Sequence, residues 1–478
     1  MDPGQPFIPT MINAFRFVHR HKSIIKTLYS AVFFFLAMQI YVSYNTTNTE
    51  PDYDYFTDTH NEPEFILDEQ LVQSYATVFQ ELMDNEYLTV VSRSIAVGIN
   101  YHEFKAALVR LTVWDSVSEK TNELLNWYVD ESFDFQFLSH TSLDCSSSPG
   151  DYSFELLRTL KPEGYLVIHT QSKDEYSLNS LVNLFESLKF VHAREVVVDH
   201  WSVQGVREVV FMKENETSLG TRDEVRKHNG TCFVPACKKK LVKGLEPLMV
   251  KEPLKPRVSG KRNRKNLKYL TSMVDVSFKT SYVYIDVGAK SYGTSIGSWF
   301  KKVYPKQSKA FKIFAIEADK QFHREYKSKK KVTLLPFAAW VRNESLFFEI
   351  NHGGKNYSNE RGQGMGRVQS GHRSNSFMRD GDKIQGFDFA DWLKNSFSEK
   401  DFVVVKMDAE GREFDLIAKM VESGAICLID ELFLECHYDP KEKCCDGENS
   451  SNYQKGYGDC LELYRSLRDK GVFVHQGW

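Results

Sequence analysis

The chain has 478 residues, 42% hydrophobic and 26% charged, with 61 Lys+Arg against 64 Asp+Glu and a net charge of -3. That is length enough for more than one hydrophobic core, and the balance excludes wholesale disorder, a polytopic membrane protein and wholesale nucleic-acid binding. Eight cysteines are too few for a small disulfide-built scaffold.

In chain order, residues 1–23 form a tail carrying Arg16, Arg20 and Lys22, and residues 24–44 form an apolar stretch interrupted only by Lys26. About 20 apolar residues span a bilayer core. Basic residues precede the stretch and Glu50, Asp52 and Asp54 follow it, which predicts a single-pass type II anchor with the bulk of the chain luminal. A short span suits the endoplasmic reticulum or Golgi membrane. Asn45, Asn215, Asn229, Asn343, Asn356 and Asn449 lie in Asn-x-Ser/Thr triplets, the acceptor pattern of luminal glycosylation. Cys232 with Cys237, and Cys444, Cys445 and Cys460, could pair in such a compartment or remain buried thiols.

Residues 45–70 are a polar, acidic stem, and residues 71–213 a first folded module of α/β class. Strands are expected at Phe133–Leu138, Tyr165–His169, Val191–Val198 and Val206–Met212, with helices at Tyr152–Leu160 and Leu178–Leu188 and a turn at Lys161–Gly164. The run SFDFQFLSH followed by LLRTLKPEGYLVIHT is similar to the second half of a class I methyltransferase. The position of a cofactor loop near Gly98 lacks further glycines, so this module is expected to be degenerate and without cofactor. Residues 214–270, with KKK at 238–240 and KRNRK at 261–265, are expected as a basic linker, solvated apart from room for one structured patch.

Residues 271–478 hold the chemistry. Strands are expected at Tyr282–Val287, Phe311–Ile316, Val332–Leu335, Leu346–Ile350, Phe402–Val405 and Ile429–Glu435, and a long polar loop at 352–377. The first of these strands ends in Asp286 and runs into Gly288 and Gly293 before a helix start near Thr294, and the second ends in Glu317. Strand, glycine turn and helix start let backbone approach a ligand, and an acidic residue ending the next strand can hold a ribose. Lys406, Asp408 and Glu410 cluster at another strand end, where a buried lysine needs carboxylate partners. Asp408, Glu435 and His437 have no tight ligand spacing, so no metal is expected and His437 reads as a satisfied side chain.

YIDVGAKSYG at 284–293, AIEAD at 315–319, PFAAW at 336–340, FADWL at 389–393, VVKMDAEGREFDLI at 404–417 and LFLECH at 432–437 resemble, in order, the FkbM family of S-adenosylmethionine-dependent O-methyltransferases. The chain departs from the family in having Lys290 where Asn is common. The resemblance implies two Rossmann-like methyltransferase-type modules after the anchor, with S-adenosylmethionine as cofactor. Asp286, Gly288, Gly293 and Glu317 would bind it, and Asp408 with Lys406 would be catalytic. The compartment suggests a glycan hydroxyl as acceptor. A membrane-tethered binding protein without turnover is the alternative reading.

Overall fold

An amphipathic helix opens the described part of the chain. In α1 (Glu69–Asp84) the N-cap Asp68 accepts from the Gln70 and Leu71 amides, and Leu71, Val72, Tyr75, Phe79 and Leu82 form one buried stripe. The computed structural model describes residues 67–478 except 121–126, 140–142, 145, 197–204, 216–235, 253–265, 352–364, 371–382, 439–454 and 477–478. The 1–23 tail, the anchor expected at 24–44 and nearly all of the stem lie outside the described residues. Among those described, no helix is long and apolar enough to cross a membrane.

Next come β1 (Ser94–Val97), α2 (Tyr101–Arg110), β2 (Ser116–Glu119), β3 (Phe133–Leu138), α3 (Pro149–Thr159), β4 (Leu160–Thr170), α4 (Glu175–Leu184), β5 (Lys189–Val196) and β6 (Val206–Met212). They build a six-stranded sheet ordered β2-β1-β3-β4-β6-β5, parallel through β4, with β6 antiparallel to both neighbours. The turn expected at Lys161–Gly164 is instead an irregularity inside β4. Phe133 faces Leu160 and Phe135 faces Tyr165, so the four residues between bulge out, with Glu163 at a φ of 65°. At the end of β1, a Cβ on Gly98 would lie 2.1 Å from Ser139 Oγ and 3.0 Å from the Phe104 ring. Only glycine fits this close approach of β1's end to Ser139 and Phe104.

The second module begins earlier than residue 271. Within the stretch expected as linker, α5 (Ala236–Lys243) is helical, and Lys238 Nζ donates to the Ile429 carbonyl at 3.2 Å. Buried Glu246 binds His475 Nδ1 at 2.9 Å and Arg468 at 3.4 Å. These contacts tie the stretch to the second sheet.

That sheet follows from β7 (Tyr282–Val287), a π-type helical turn at Ile296–Phe300, β8 (Phe311–Ile316), α6 (Lys320–Tyr326) and β9 (Val332–Leu335). Then come β10 (Ala338–Trp340), β11 (Glu344–Asn351), β12 (Met365–Ser370) and β13 (Lys383–Asp388). The chain ends with α7 (Phe389–Ser396), β14 (Phe402–Met407), α8 (Glu413–Ser423), β15 (Glu431–Leu434), α9 (Tyr457–Asp469) and β16 (Val474–Gln476). The helix expected from Thr294 is only this π-type turn. The loop expected at 352–377 contains β12, paired antiparallel with β11 in a small sheet ordered β10-β13-β11-β12.

The main sheet is ordered β16-β15-β14-β7-β8-β9 and parallel throughout. Counted in chain order it reads 3-2-1-4-5-6 from β9, the doubly wound arrangement, and the order reverses between β7 and β14. Buried on both faces, β7 and β14 are continuous apolar runs up to their charged ends. Val283 and Ile285 pack with Leu393, Leu416 and Met420 on one face, while Tyr284 packs with Trp299 and Phe300 on the other.

Candidate functional site

The two strands at the order reversal carry the charges. Register places Lys406 of β14 beside Asp286 of β7. Lys406 is buried, with its Nζ 3.3 Å from Asp286 Oδ1 and 4.0 Å from Asp408 Oδ2. Asp286 is fully buried and also accepts from Ser295 Oγ. It is therefore spent on Lys406 and on the turn after the glycine loop, and it supports the loop from beneath.

The glycine loop lies against β14. At Gly288 φ is 72°, and a Cβ would fall 1.9 Å from the Asp408 carbonyl oxygen, so only glycine lets the loop approach this closely. Gly293 differs, since a Cβ there would meet nothing nearer than Ser291 Oγ at 3.9 Å. Between them Lys290, at a φ of 50°, turns its side chain across the sheet edge. Its Nζ lies 3.0 Å from Asp408 Oδ2 and 2.7 Å from Glu410 Oε1. Its amide donates to Glu317 Oε2 at 2.7 Å, while the Asp319 amide donates to Glu317 Oε1 at 2.7 Å. Each Glu317 oxygen keeps a further lone pair for a ligand hydroxyl. Gly288, Glu317 and Asp408 thus come together, and Lys290 links all three strand ends.

The third strand end completes the cluster. The turn after β14 passes through Glu410 (φ 49°) and Gly411 (φ 92°) into α8. Glu413, fully buried, accepts from the Ala409 amide at 2.9 Å and from His437 Nδ1 at 2.8 Å. That bond turns His437 Nε2 towards Asp408 Oδ1 at 3.7 Å and Glu410 Oε2 at 3.5 Å. Donor atoms of Asp408, Glu435 and His437 lie within 4.8 Å of one another. One residue before His437, Cys436 is disulfide-bonded to Cys460 of α9.

Electrostatics follow from this placement. Burial would raise the Asp408 carboxyl, but the Lys406, Lys290 and His437 charges outweigh it and hold the group below the usual carboxylate range. Burial and the Asp408 charge push Glu435 up. Glu317 is pushed up to about 7 by burial, against the pull of its two amide bonds. For His437, burial works downward, but the Glu413 bond and the Glu413, Asp408 and Glu410 charges lift it to about 9. The edge therefore holds an ionised proton acceptor, Asp408, next to a carboxylate able to grip hydroxyls, Glu317. Lys406, Asp408 and Glu317 stand where the sequence puts them. The Lys290 ammonium and the oriented His437 ring were missed. The change from Asn to Lys at 290 was the one available signal, and nothing local announces the ring orientation.

Residues 242–346 and 355–478 match the family model described as a domain of unknown function, DUF7870. No curated protein matches the chain. Among solved structures, the chain is similar to a SAM-dependent methyltransferase from Thermotoga maritima at 16% identity, covering 30% of this chain and 89% of that one with a TM-score of 0.22. It is similar to the N-methyltransferase NodS from Bradyrhizobium japonicum at 13% identity, covering 31% and 100% with a TM-score of 0.23. It is also similar to a Haemonchus contortus phosphoethanolamine N-methyltransferase at 13% identity, covering 55% and 62% with a TM-score of 0.26. At such scores the likeness carries no activity across to this chain.

Proposed function

We propose that the C-terminal module is an S-adenosylmethionine-dependent O-methyltransferase domain. The observation that supports it best is the meeting of the glycine loop, Glu317 and Asp408 at the order reversal of a doubly wound sheet, where such folds take ligands. The residues fit the cofactor. Gly293 borders open space, and Glu317 retains acceptor capacity towards a ribose. The cofactor supplies an electrophilic methyl group. Asp408, kept ionised by Lys406 and Lys290, accepts the proton of an acceptor hydroxyl, and Lys406 balances the buried charge.

On this reading the acceptor is a glycan hydroxyl in the lumen of the Golgi or endoplasmic reticulum, the chain being held by a single-pass type II anchor at 24–44. The Cys436–Cys460 disulfide is in keeping with an oxidising compartment. No nucleic-acid partner is expected.

One observation favours a second reading, binding without turnover. Lys290 Nζ already pairs Asp408, which lowers its basicity.

Calorimetric titration of the full chain with S-adenosylhomocysteine tests the cofactor reading. One-site binding is expected, tightening as pH rises through about 7 because only ionised Glu317 offers acceptors alone. Asp408→Asn should keep this binding and lose methyl transfer. A folded chain that gives no binding heat overturns the proposal, and binding without any transfer selects the second reading.

A further inference from the structure

We infer that the basic surface around Tyr292 binds an acidic glycan, a chain of carboxylate-bearing sugars, which names the class of the acceptor in the reaction proposed above. Residues 301–331 hold ten lysines and Arg324 against only three carboxylates, a net of +8 in a chain of net charge -3. Those carboxylates do little to offset the charge at the surface. Glu317 and Asp319 are buried beyond the end of β8, and Glu325 accepts from the Tyr292 amide at 3.2 Å. Lys301, Lys302, Lys320, Lys327, Lys330 and Lys331 are exposed. Lys306, by contrast, is spent inside its own turn, its Nζ donating to the Phe300 and Tyr304 carbonyls at 2.9 and 2.7 Å.

The charges converge on a cleft. Tyr292, Gly293, Gly297, Ser298, Lys301 and Lys302 line an open cavity of about 450 Å³, within the usual size of a small-ligand site. Lys301 Nζ lies 5.2 Å from the centre of the Tyr292 ring, and Lys329 Nζ 4.4 Å. The ring attracts both ammoniums, but two like charges on one ring also repel each other. Among the described residues neither is paired with a carboxylate, so an anion from outside finds two partners at one place. Gly293 also belongs to the glycine loop, so a ligand in the cleft borders the expected donor site. Three observations select the anion. Lysine outnumbers arginine ten to one here, and it is the planar arginine fork that suits phosphate and nucleic acid, whereas separate point charges suit spaced carboxylates. The cleft is concave, and Val303 is the one large apolar side chain exposed along 301–331, so nothing aromatic is offered to a lipid surface. The Cys436–Cys460 disulfide is in keeping with a compartment rich in glycans. Only the ligand's role as acceptor rests on the methyltransferase reading.

The test is fluorescence anisotropy of a labelled galacturonic-acid oligosaccharide and of its uncharged galactose counterpart with the full chain, and cosedimentation of the chain with phosphatidylserine vesicles. Saturable binding of the acidic sugar alone is expected, weakening as salt is raised. Lys301→Gln with Lys329→Gln should weaken it at least about tenfold. Lys394→Gln with Lys470→Gln removes the same charge from α7 and the end of α9, on the opposite face of the sheet, and should leave it unchanged. Should a variant fail to fold, the wild-type comparison of acidic with neutral sugar still decides the matter. No binding of the acidic sugar, equal binding of its neutral counterpart, equal losses in the two double variants, or binding to the vesicles in its place overturns the inference. Titration of the same chain with S-adenosylhomocysteine keeps the two proposals apart. Normal cofactor binding without sugar binding sinks only this inference, and sugar binding without cofactor heat sinks only the methyltransferase reading.

Discussion

Two glycines in one loop have opposite reasons to be glycine. Gly288 sits under the Asp408 carbonyl at a φ of 72°, whereas Gly293 faces open space. Gly288→Ala should therefore cost at least about 2 kcal/mol, from backbone strain and the forced retreat of β14's end. Gly293→Ala should stay within about 0.5 kcal/mol. Urea denaturation of both variants checks this, and equal losses would refute the assignment. At this scale the sequence showed the chemistry of β14's end, because Lys and carboxylates at alternate positions after an apolar strand can only mean a charged edge. It hid the role of His437, whose ring is set by Glu413, a residue 24 positions earlier in the chain. Spacing carries no information about such a bond.

Elements were legible where an apolar, β-branched or aromatic run marks the strand. β3, β6, β7, β8 and β9 occupy the spans their apolar runs predict. β12 was not, because MGRVQS has no apolar run and is a strand through backbone pairing with β11. The stretch before β7, where Lys and Arg dominate and the composition leaves room for one structured patch, holds such a patch around Glu246, which is fixed to β16. His475, fully buried, bonds Glu246 and Glu431 at 2.9 Å each. Burial alone would lower its pKa, but the two carboxylates raise it above the ordinary value. A raised folded-state pKa means that the stabilisation is complete below about 6.5 and fades as pH rises through the folded value. Chemical denaturation followed from pH 6 upward should show falling stability in the native chain. His475→Gln should lose about 3–5 kcal/mol at pH 6 and have a flatter profile. A native profile as flat as the variant's would contradict this.

At the scale of the molecule, residues 67–478 form one compact unit in which the two modules share side chains. Phe278 lies in the first module's core and Tyr176 in the second's. Tyr176 Oη donates to Asp430 Oδ1 at 2.7 Å, where Lys279 Nζ also binds at 3.2 Å, and Lys400 pairs with Glu186 at 2.6 Å. Tyr176→Phe leaves the apolar body in place and removes one buried bond to a charge, worth about 1.5–3 kcal/mol. Its urea midpoint should fall in a single transition seen by probes in both modules. Two separate transitions would mean that the modules fold independently. The α/β character of both six-stranded sheets was legible from the alternation of strands and helices. Their shared core was not, because Tyr176 and Phe278 look like ordinary apolar residues of their own segments.

The order reversal of the main sheet has a consequence for the chain's birth. Asp286 and Glu317 are translated long before Asp408 and His437, and β15, which carries the strand end before His437, follows β14. A nascent polypeptide that stops short of β15 therefore has no assembled charge cluster to offer.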